Sequence, residues 1–151
     1  MYTTLSELAN TPDTPLEPIR VVNKAQVQGW LKEAGLKYED ANRSANSNGT
    51  RLDTAYDATF FCALAVLAGV GYRVTSKMGH HEVAMEAAAS TMKLPSALFD
   101  EVEALRTWRN RKYQGSFAAS KEDVSDALTT ARRFLEATSA WLQREKPDLV
   151  K

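Results

Sequence analysis

A cluster of cations lies near the end of a helical pattern in the stretch LRTWRNRKYQG, residues 105–115. If that pattern forms a helix, Arg106, Arg109 and Tyr113 share one face, because positions three and four apart are neighbours on a helix. A guanidinium fork beside an amide and a phenol suits a phosphate group or a folded RNA surface. The candidate phosphate-binding residues of this stretch are Arg106, Arg109, Asn110, Arg111 and Lys112. A second interpretation stays open, in which these cations only solvate the helix end and favour its dipole.

The two histidines of the chain, His80 and His81, are the candidates for proton transfer. They are adjacent at the start of a helical pattern, where neighbouring side chains point about 100° apart, so the pair cannot easily hold one metal ion. We predict neither a metal site nor a cofactor, because no Cys, Asp or Glu set completes a ligand cluster. A helix N-terminus lowers the pKa of a histidine and leaves a neutral imidazole able to accept a proton. A capping and packing role is the alternative.

Other chemistry-bearing residues are sparse. The polar, basic loop GYRVTSKMGHHE adds Arg73 to the candidate phosphate-binding residues. Asp100, Glu101 and Glu103 precede the cation cluster and are expected to form solvated or intrahelical pairs rather than an acid and a base. The sequence contains no P-loop, Rossmann glycine pattern, GxSxG elbow or HExxH motif, so the activities that these motifs mark are not indicated.

The composition bounds the class of protein. The 151 residues include 44% hydrophobic and 25% charged ones, which is typical of one globular domain with a substantial core. The net charge is zero, so any contact with nucleic acid must be local. The single cysteine, Cys62, lies in an apolar run over residues 58–70 that is too short to span a bilayer. Without a signal-peptide pattern at the N-terminus, we expect a soluble, cytoplasmic protein with no membrane contact.

Periodicity and turn signals predict the organisation of the chain. Three prolines among polar residues predict an extended N-terminal arm over residues 1–21. A single bundle domain is expected over residues 22–146, followed by a short tail over residues 147–151. Helical patterns begin after the N-cap Asn23, near Leu52, at His80, near Pro95 and after Ser120.

These patterns predict an all-α fold, since no segment alternates convincingly with period two. The second helix is apolar nearly all round and is expected to be central. Because the connections between the helices are short, the expected architecture is an antiparallel up-and-down bundle of four to five helices.

The order of the features resembles a known superfamily. The run YDATFFCALAVLAGVGYR, then GHHE, then LRTWRNRKYQG and a long amphipathic helix is similar to the layout of HEPN helical bundles, over about residues 22–145. The resemblance implies a homodimer in which two Arg-x4-6-His motifs line a shared cleft. It also implies a metal-independent endoribonuclease or an RNA-binding relative of one, in a defence or toxin-antitoxin setting.

The motif carries over incompletely. Its arginine falls on Arg109, followed by Asn110, or on Arg106 if the register is set from Tyr113. Neither register supplies the histidine, and an arginine is not a base near neutral pH. Either His80 or His81 replaces the lost base, or the cleft binds without cutting. We expect the second, with several guanidinium groups gathered at a groove that lacks a proton-accepting imidazole.

Three functions therefore stay open. We expect first a HEPN-like protein without robust nuclease activity that binds RNA, a nucleotide or a partner protein. The alternatives are a divergent endoribonuclease that uses the cation cluster, Tyr113 and a GHH histidine, and a structural adaptor for a partner, such as a nucleotidyltransferase. A homodimer is expected because the helices carry more aromatic surface than a small bundle buries internally, at Trp30, Tyr38, Phe60 and Phe61.

Overall fold

The computed structural model describes residues 3–111 and 118–151, and its fold is an all-α helical bundle, as the sequence predicts. The described residues form six α-helices, a small two-stranded antiparallel sheet and a final 3₁₀ turn over Pro147–Leu149. The helices are α1 (Leu5–Ala9), α2 (Lys24–Asn42), α3 (Asn48–Gly69), α4 (His80–Met92), α5 (Ser96–Arg111) and α6 (Lys121–Glu145), and the strands are β1 (Leu16–Pro18) and β2 (Tyr72–Val74).

Helix α3 is the centre of the bundle. It packs against α2, α4, α5 and α6, and most of its side chains are buried. Cys62 is completely buried, in keeping with its predicted role as a small core residue. Within the described residues, α3 alone is long and apolar enough to cross a membrane, but 67% of its apolar window is buried inside the protein. That burial is typical of the core helix of a soluble protein.

Side-chain caps fix where the long helices begin. The Asn23 side chain accepts a hydrogen bond from the Gln26 backbone at the start of α2, and Ser120 forms a capping box with Asp123 at the start of α6. Both caps were predicted. Helix α3 begins earlier than predicted, because Ser47 accepts from the Thr50 backbone within the segment expected to be a turn. Helix α3 is therefore about one turn longer at its N-terminal end than predicted.

The N-terminal segment differs from the predicted extended arm. Thr4 and Glu7 form a capping box that starts the short helix α1, and α1 packs on α4. β1 then pairs with β2, with Leu16 opposite Val74. The prolines exclude a long helix from this segment, but they do not prevent a short helix before them or an edge strand between them.

The connection between α3 and α4 determines where the histidines lie. Gly71, with φ of 92°, turns the chain after α3 into β2, and Gly79, with φ of 79°, precedes α4. Left-handed backbone of this kind favours glycine, since a Cβ atom strains it. The first residues of α4 are thereby returned to the side of α3, where their rings meet α3 aromatic side chains.

Candidate functional site

Tyr56 of α3 joins two of the predicted site residues. Its side chain is completely buried, and its hydroxyl lies 2.9 Å from Nδ1 of His81 on α4. The guanidinium carbon of Arg109, on α5, lies 5.2 Å from the centre of the Tyr56 ring, within the range of a cation–π contact. Three helices therefore contribute one side chain each to a single cluster, which we call the Tyr56 site: Tyr56, His81 and Arg109.

Stacked rings fix the orientation of His81. The Phe60 and His81 ring centres are 4.1 Å apart with an interplanar angle of 21°, and the His80 and His81 ring centres are 4.4 Å apart. His80 also meets Phe60 edge to face and holds its Nδ1 3.0 Å from the Lys77 carbonyl oxygen. Because Nδ1 of His81 is engaged by Tyr56, the other ring nitrogen, Nε2, is the candidate atom for contact with a ligand.

The environment of His81 strongly disfavours its charged form. Burial lowers its pKa from 6.5 to about 4, and the nearby charges of His80, Arg109 and Arg106 act in the same direction. The sequence predicted the direction, but burial rather than the helix N-terminus is the main cause. Burial raises the pKa of the Tyr56 phenol above its ordinary value, although Arg109 and Arg106 oppose that shift. At neutral pH the site consequently contains a neutral imidazole, a neutral phenol and a cationic guanidinium.

Arg106 lies beside this site but is paired with an acid. Its Nε and Nη2 atoms lie 3.0 and 2.9 Å from one carboxylate oxygen of Glu103, one helical turn away on α5. The prediction of an intrahelical pair is confirmed for Glu103, whereas Glu101 pairs with Arg133 of α6 at 2.8 Å. Burial raises the pKa of Glu103, whereas the hydrogen bond and charge of Arg106 hold it down. Arg106 therefore acts on the site through its positive charge, which the Glu103 carboxylate partly neutralises.

The other predicted cations are distributed over different surroundings. Arg111 is exposed at the end of α5, and the Asn110 amide oxygen lies 3.5 Å from a guanidinium nitrogen of Arg109. Arg73 lies on β2 and forms an ion pair of 2.7 Å with Glu17 on β1. Lys112 and Tyr113 lie outside the described residues. Among the described residues, the predicted gathering of guanidinium groups is therefore limited to Arg109 at the Tyr56 site and Arg106 beside it, whereas Arg73 pairs with Glu17 in the sheet.

The expected lack of an imidazole is also corrected. His81 and Arg109 both contact Tyr56, because α4 and α5 both pack against α3, a tertiary arrangement that spacing along α5 cannot reveal. His81 comes from a neighbouring helix, a position that the alternative with a replaced base requires. His80 lies one residue away and contacts the same rings, but its Nδ1 faces its own loop.

Two buried polar atoms at the site have no partner within residues 3–111 and 118–151. They are Nε of Arg109 and the second carboxylate oxygen of Glu103. A buried donor on a guanidinium without an acceptor is unfavourable, so a bound anion would stabilise Arg109 in this position. In the same described parts of the chain, no group of three His, Cys, Asp or Glu side chains is arranged to hold a metal ion.

The sequence underestimated two residues of the site. Tyr56 and Phe60 were treated as core positions of the central helix, and Phe60 also as surface for a partner. Both pack internally against His81. Trp30 and Phe61 stack on each other with ring centres 5.4 Å apart, so they too are half-buried within the chain. A phenol in an otherwise apolar run was the available signal for Tyr56, since a buried hydroxyl requires a partner.

Comparison with known proteins adds no relative: no family model, no curated protein and no solved structure matches this chain.

Proposed function

We propose that this chain is a cytoplasmic HEPN-like bundle protein that binds RNA or a nucleotide at the Tyr56 site and lacks robust nuclease activity. The observation that carries the proposal is the arrangement of Arg109, which lies over the buried Tyr56 ring with an unpartnered buried Nε among the described residues. Its guanidinium lies against an aromatic face. An oriented guanidinium of this kind suits the oxygens of a phosphate group.

The neutral state of His81 supports phosphate binding as well. A neutral ring nitrogen can hydrogen-bond a ribose hydroxyl or a phosphate oxygen without a change of protonation. The direction of the hydrogen bond with Tyr56 determines which role remains. If Nδ1–H donates to the phenol oxygen, Nε2 accepts, and if the phenol donates to Nδ1, Nε2–H donates.

The lowered pKa of His81 and the raised pKa of Tyr56 disfavour efficient cleavage of RNA. Metal-independent cleavage transfers the 2′-hydroxyl proton to a base and returns a proton to the leaving 5′-oxygen. A histidine with a pKa of about 4 is protonated in roughly a thousandth of the molecules at neutral pH, so it is a poor acid, and it is also a weak base. Neither the Tyr56 phenol nor the Arg109 guanidinium supplies the missing proton at neutral pH.

Binding of a fluorescent RNA hairpin, measured by anisotropy at several salt concentrations, tests the proposal. Arg109→Gln is expected to weaken binding by about tenfold or more, since a hydrogen bond to a charged group is lost. The slope of affinity against salt should also fall by about one phosphate contact. The matched control is Arg144→Gln, a change at an exposed arginine on α6, which should leave both quantities unchanged. Equal effects of the two variants, or no salt-sensitive binding by the unaltered protein, would favour an adaptor role instead.

A divergent endoribonuclease is the second candidate, and the position of His81 favours it. The imidazole lies at the Tyr56 site beside the cation that would stabilise a pentavalent phosphate, as the HEPN mechanism requires. Incubation of the protein with structured RNA in the presence of a chelator separates the two functions. Metal-independent products that disappear with His81→Ala would establish cleavage, whereas intact RNA under conditions that saturate binding supports our proposal.

We also propose a homodimer, as the resemblance to HEPN proteins implies. Helix α2 presents Leu36, which is 44% exposed, on a surface that includes the half-buried Trp30. Apolar surface of this kind favours contact with a second copy. Sedimentation at micromolar concentration should give twice the chain mass, and a monomer would contradict the proposed dimer and its shared cleft.

A further inference from the structure

An aromatic cavity adjoins the Tyr56 site. Its volume is about 340 Å³, and its walls include Trp30 of α2, Phe60 of α3 and Tyr72 of β2. His80, at the start of α4, completes the ring-bearing part of the wall. Cavities that bind small ligands are mostly apolar, begin at about this size and carry a few polar groups that orient the ligand. We call this space the aromatic cavity.

Polar groups of the aromatic cavity are fixed by the small sheet. Arg73 lines the cavity and forms an exposed ion pair with Glu17 across the two strands. Thr75 follows β2 and donates its backbone N–H to the Pro15 carbonyl oxygen at 2.8 Å. Its hydroxyl oxygen is buried and has no partner in the described parts of the chain. An unpartnered hydroxyl beside aromatic walls is a group that a ligand with ring nitrogens or carbonyls would satisfy.

The cavity and the Tyr56 site share a wall. Phe60 lines the aromatic cavity and also stacks on His81, with ring centres 4.1 Å apart. His80 likewise lines the cavity and lies against His81, with ring centres 4.4 Å apart. Trp30 and Phe60 line the same cavity, and from Phe60 a row of stacked rings leads through His81 to Tyr56, over which Arg109 lies.

We propose that the aromatic cavity binds the nucleobase of the ligand whose phosphate group is held by Arg109. The inference rests on the proposed function and extends it, because it gives the base of the RNA or nucleotide a binding place of its own beside the Tyr56 site. Stacking on aromatic side chains tolerates any base, since every base has a π face. The Thr75 hydroxyl and the Arg73 guanidinium, which line the cavity, then supply the in-plane contacts that stacking lacks.

Amide and indole shifts in ¹H–¹⁵N NMR spectra of the full chain test this inference. The probes are the four ribonucleosides, ribose 5-phosphate and the four nucleoside 5′-monophosphates. Nucleosides are expected to shift the Trp30 indole N–H and the Thr75 amide, and ribose 5-phosphate to shift the Arg109 side chain. At least one monophosphate should shift both sets and bind about tenfold more tightly than its nucleoside, since it adds a charged contact.

Thr75→Val tests the hydroxyl with little change of shape. Its expected effect is an affinity for nucleosides reduced about three- to tenfold, the usual loss for one hydrogen bond, with ribose 5-phosphate binding unchanged. Thr129→Val, at an exposed threonine of α6, is the matched control and should change neither.

The outcomes separate this inference from the proposed function. If no nucleoside shifts the cavity signals while Arg109→Gln still weakens RNA binding, the cavity inference is overturned and the proposed function stands. If nucleosides bind in the cavity but Arg109→Gln leaves the affinity of every monophosphate unchanged, one ligand does not span both places, and the inference is overturned together with the proposed role of Arg109.

Discussion

Acidification is expected to destabilise this protein through His81. The pKa of His81 in the folded chain is about 4, against 6.5 in an unfolded chain, chiefly because the ring is half-buried against Phe60 and Tyr56. A folded-state pKa below the unfolded value gives a stabilising contribution that is complete above 6.5. That contribution is lost as the pH falls toward 4, because the unfolded chain binds a proton that the folded chain does not.

The size of the effect follows from the two pKa values. Between about pH 7 and about pH 5, full linkage would lower the free energy of unfolding by about 2 kcal/mol. Because His81 is only partly buried, solvent screens the neighbouring charges, and about 1 kcal/mol is the expected loss. Urea denaturation followed by circular dichroism resolves a difference of this size.

His81→Gln isolates this contribution from those of the carboxylates. Glutamine does not titrate, so the free energy of unfolding of the variant should fall less between the two pH values, by about 1 kcal/mol relative to the unaltered chain. Parallel pH dependence of the two proteins would refute the assignment. If the variant does not fold, an NMR titration of the His81 ring in the unaltered protein decides the matter, and a pKa near 6.5 would contradict the buried, stacked environment.

Three changes test the packing that holds the site. Tyr56→Phe removes the hydroxyl that meets His81 Nδ1 and should lower the free energy of unfolding by about 1–3 kcal/mol, whereas no change would mean that the bond is absent in solution. Ser120→Ala removes the α6 capping box and should cost about 0.5–2 kcal/mol, with Ser120→Asn as the restoring control. Phe134→Ala empties a fully buried position and should cost about 3–5 kcal/mol in urea denaturation, and a loss below 1 kcal/mol would contradict its burial.

Local sequence signals were sufficient to predict the long helices, but not the short helix α1 or the two strands. Asn23 and the Ser120–Asp123 pair mark helix starts because caps are read from a few neighbouring residues. The capping box of Thr4 and Glu7 carried an equally local signal, which was outweighed by the prolines that follow it. The strands were missed because three residues are too few for a period-two pattern, and their pairing depends on a partner far along the chain.

The site itself depends on contacts between helices that are distant in sequence. The candidate phosphate-binding residues were chosen from spacing along α5, but spacing cannot show that Arg106 pairs with Glu103 while Arg109 lies against Tyr56. The histidine expected at a fixed interval after an arginine lies instead on α4, next to an α3 phenol. Periodicity assigns a residue to a face, and only tertiary packing decides which faces meet.

The pKa of His81 with and without a bound phosphate ester tests the central claim most directly. The charges of Arg109 and Arg106 contribute to lowering that pKa, and a phosphate held by Arg109 would offset them. We predict that saturating ribose 5-phosphate raises the pKa of the His81 ring in an NMR titration, and that Arg109→Gln abolishes the rise. An unchanged or lowered pKa under saturating ligand would show that the anion binds elsewhere and would contradict the assignment of the Tyr56 site.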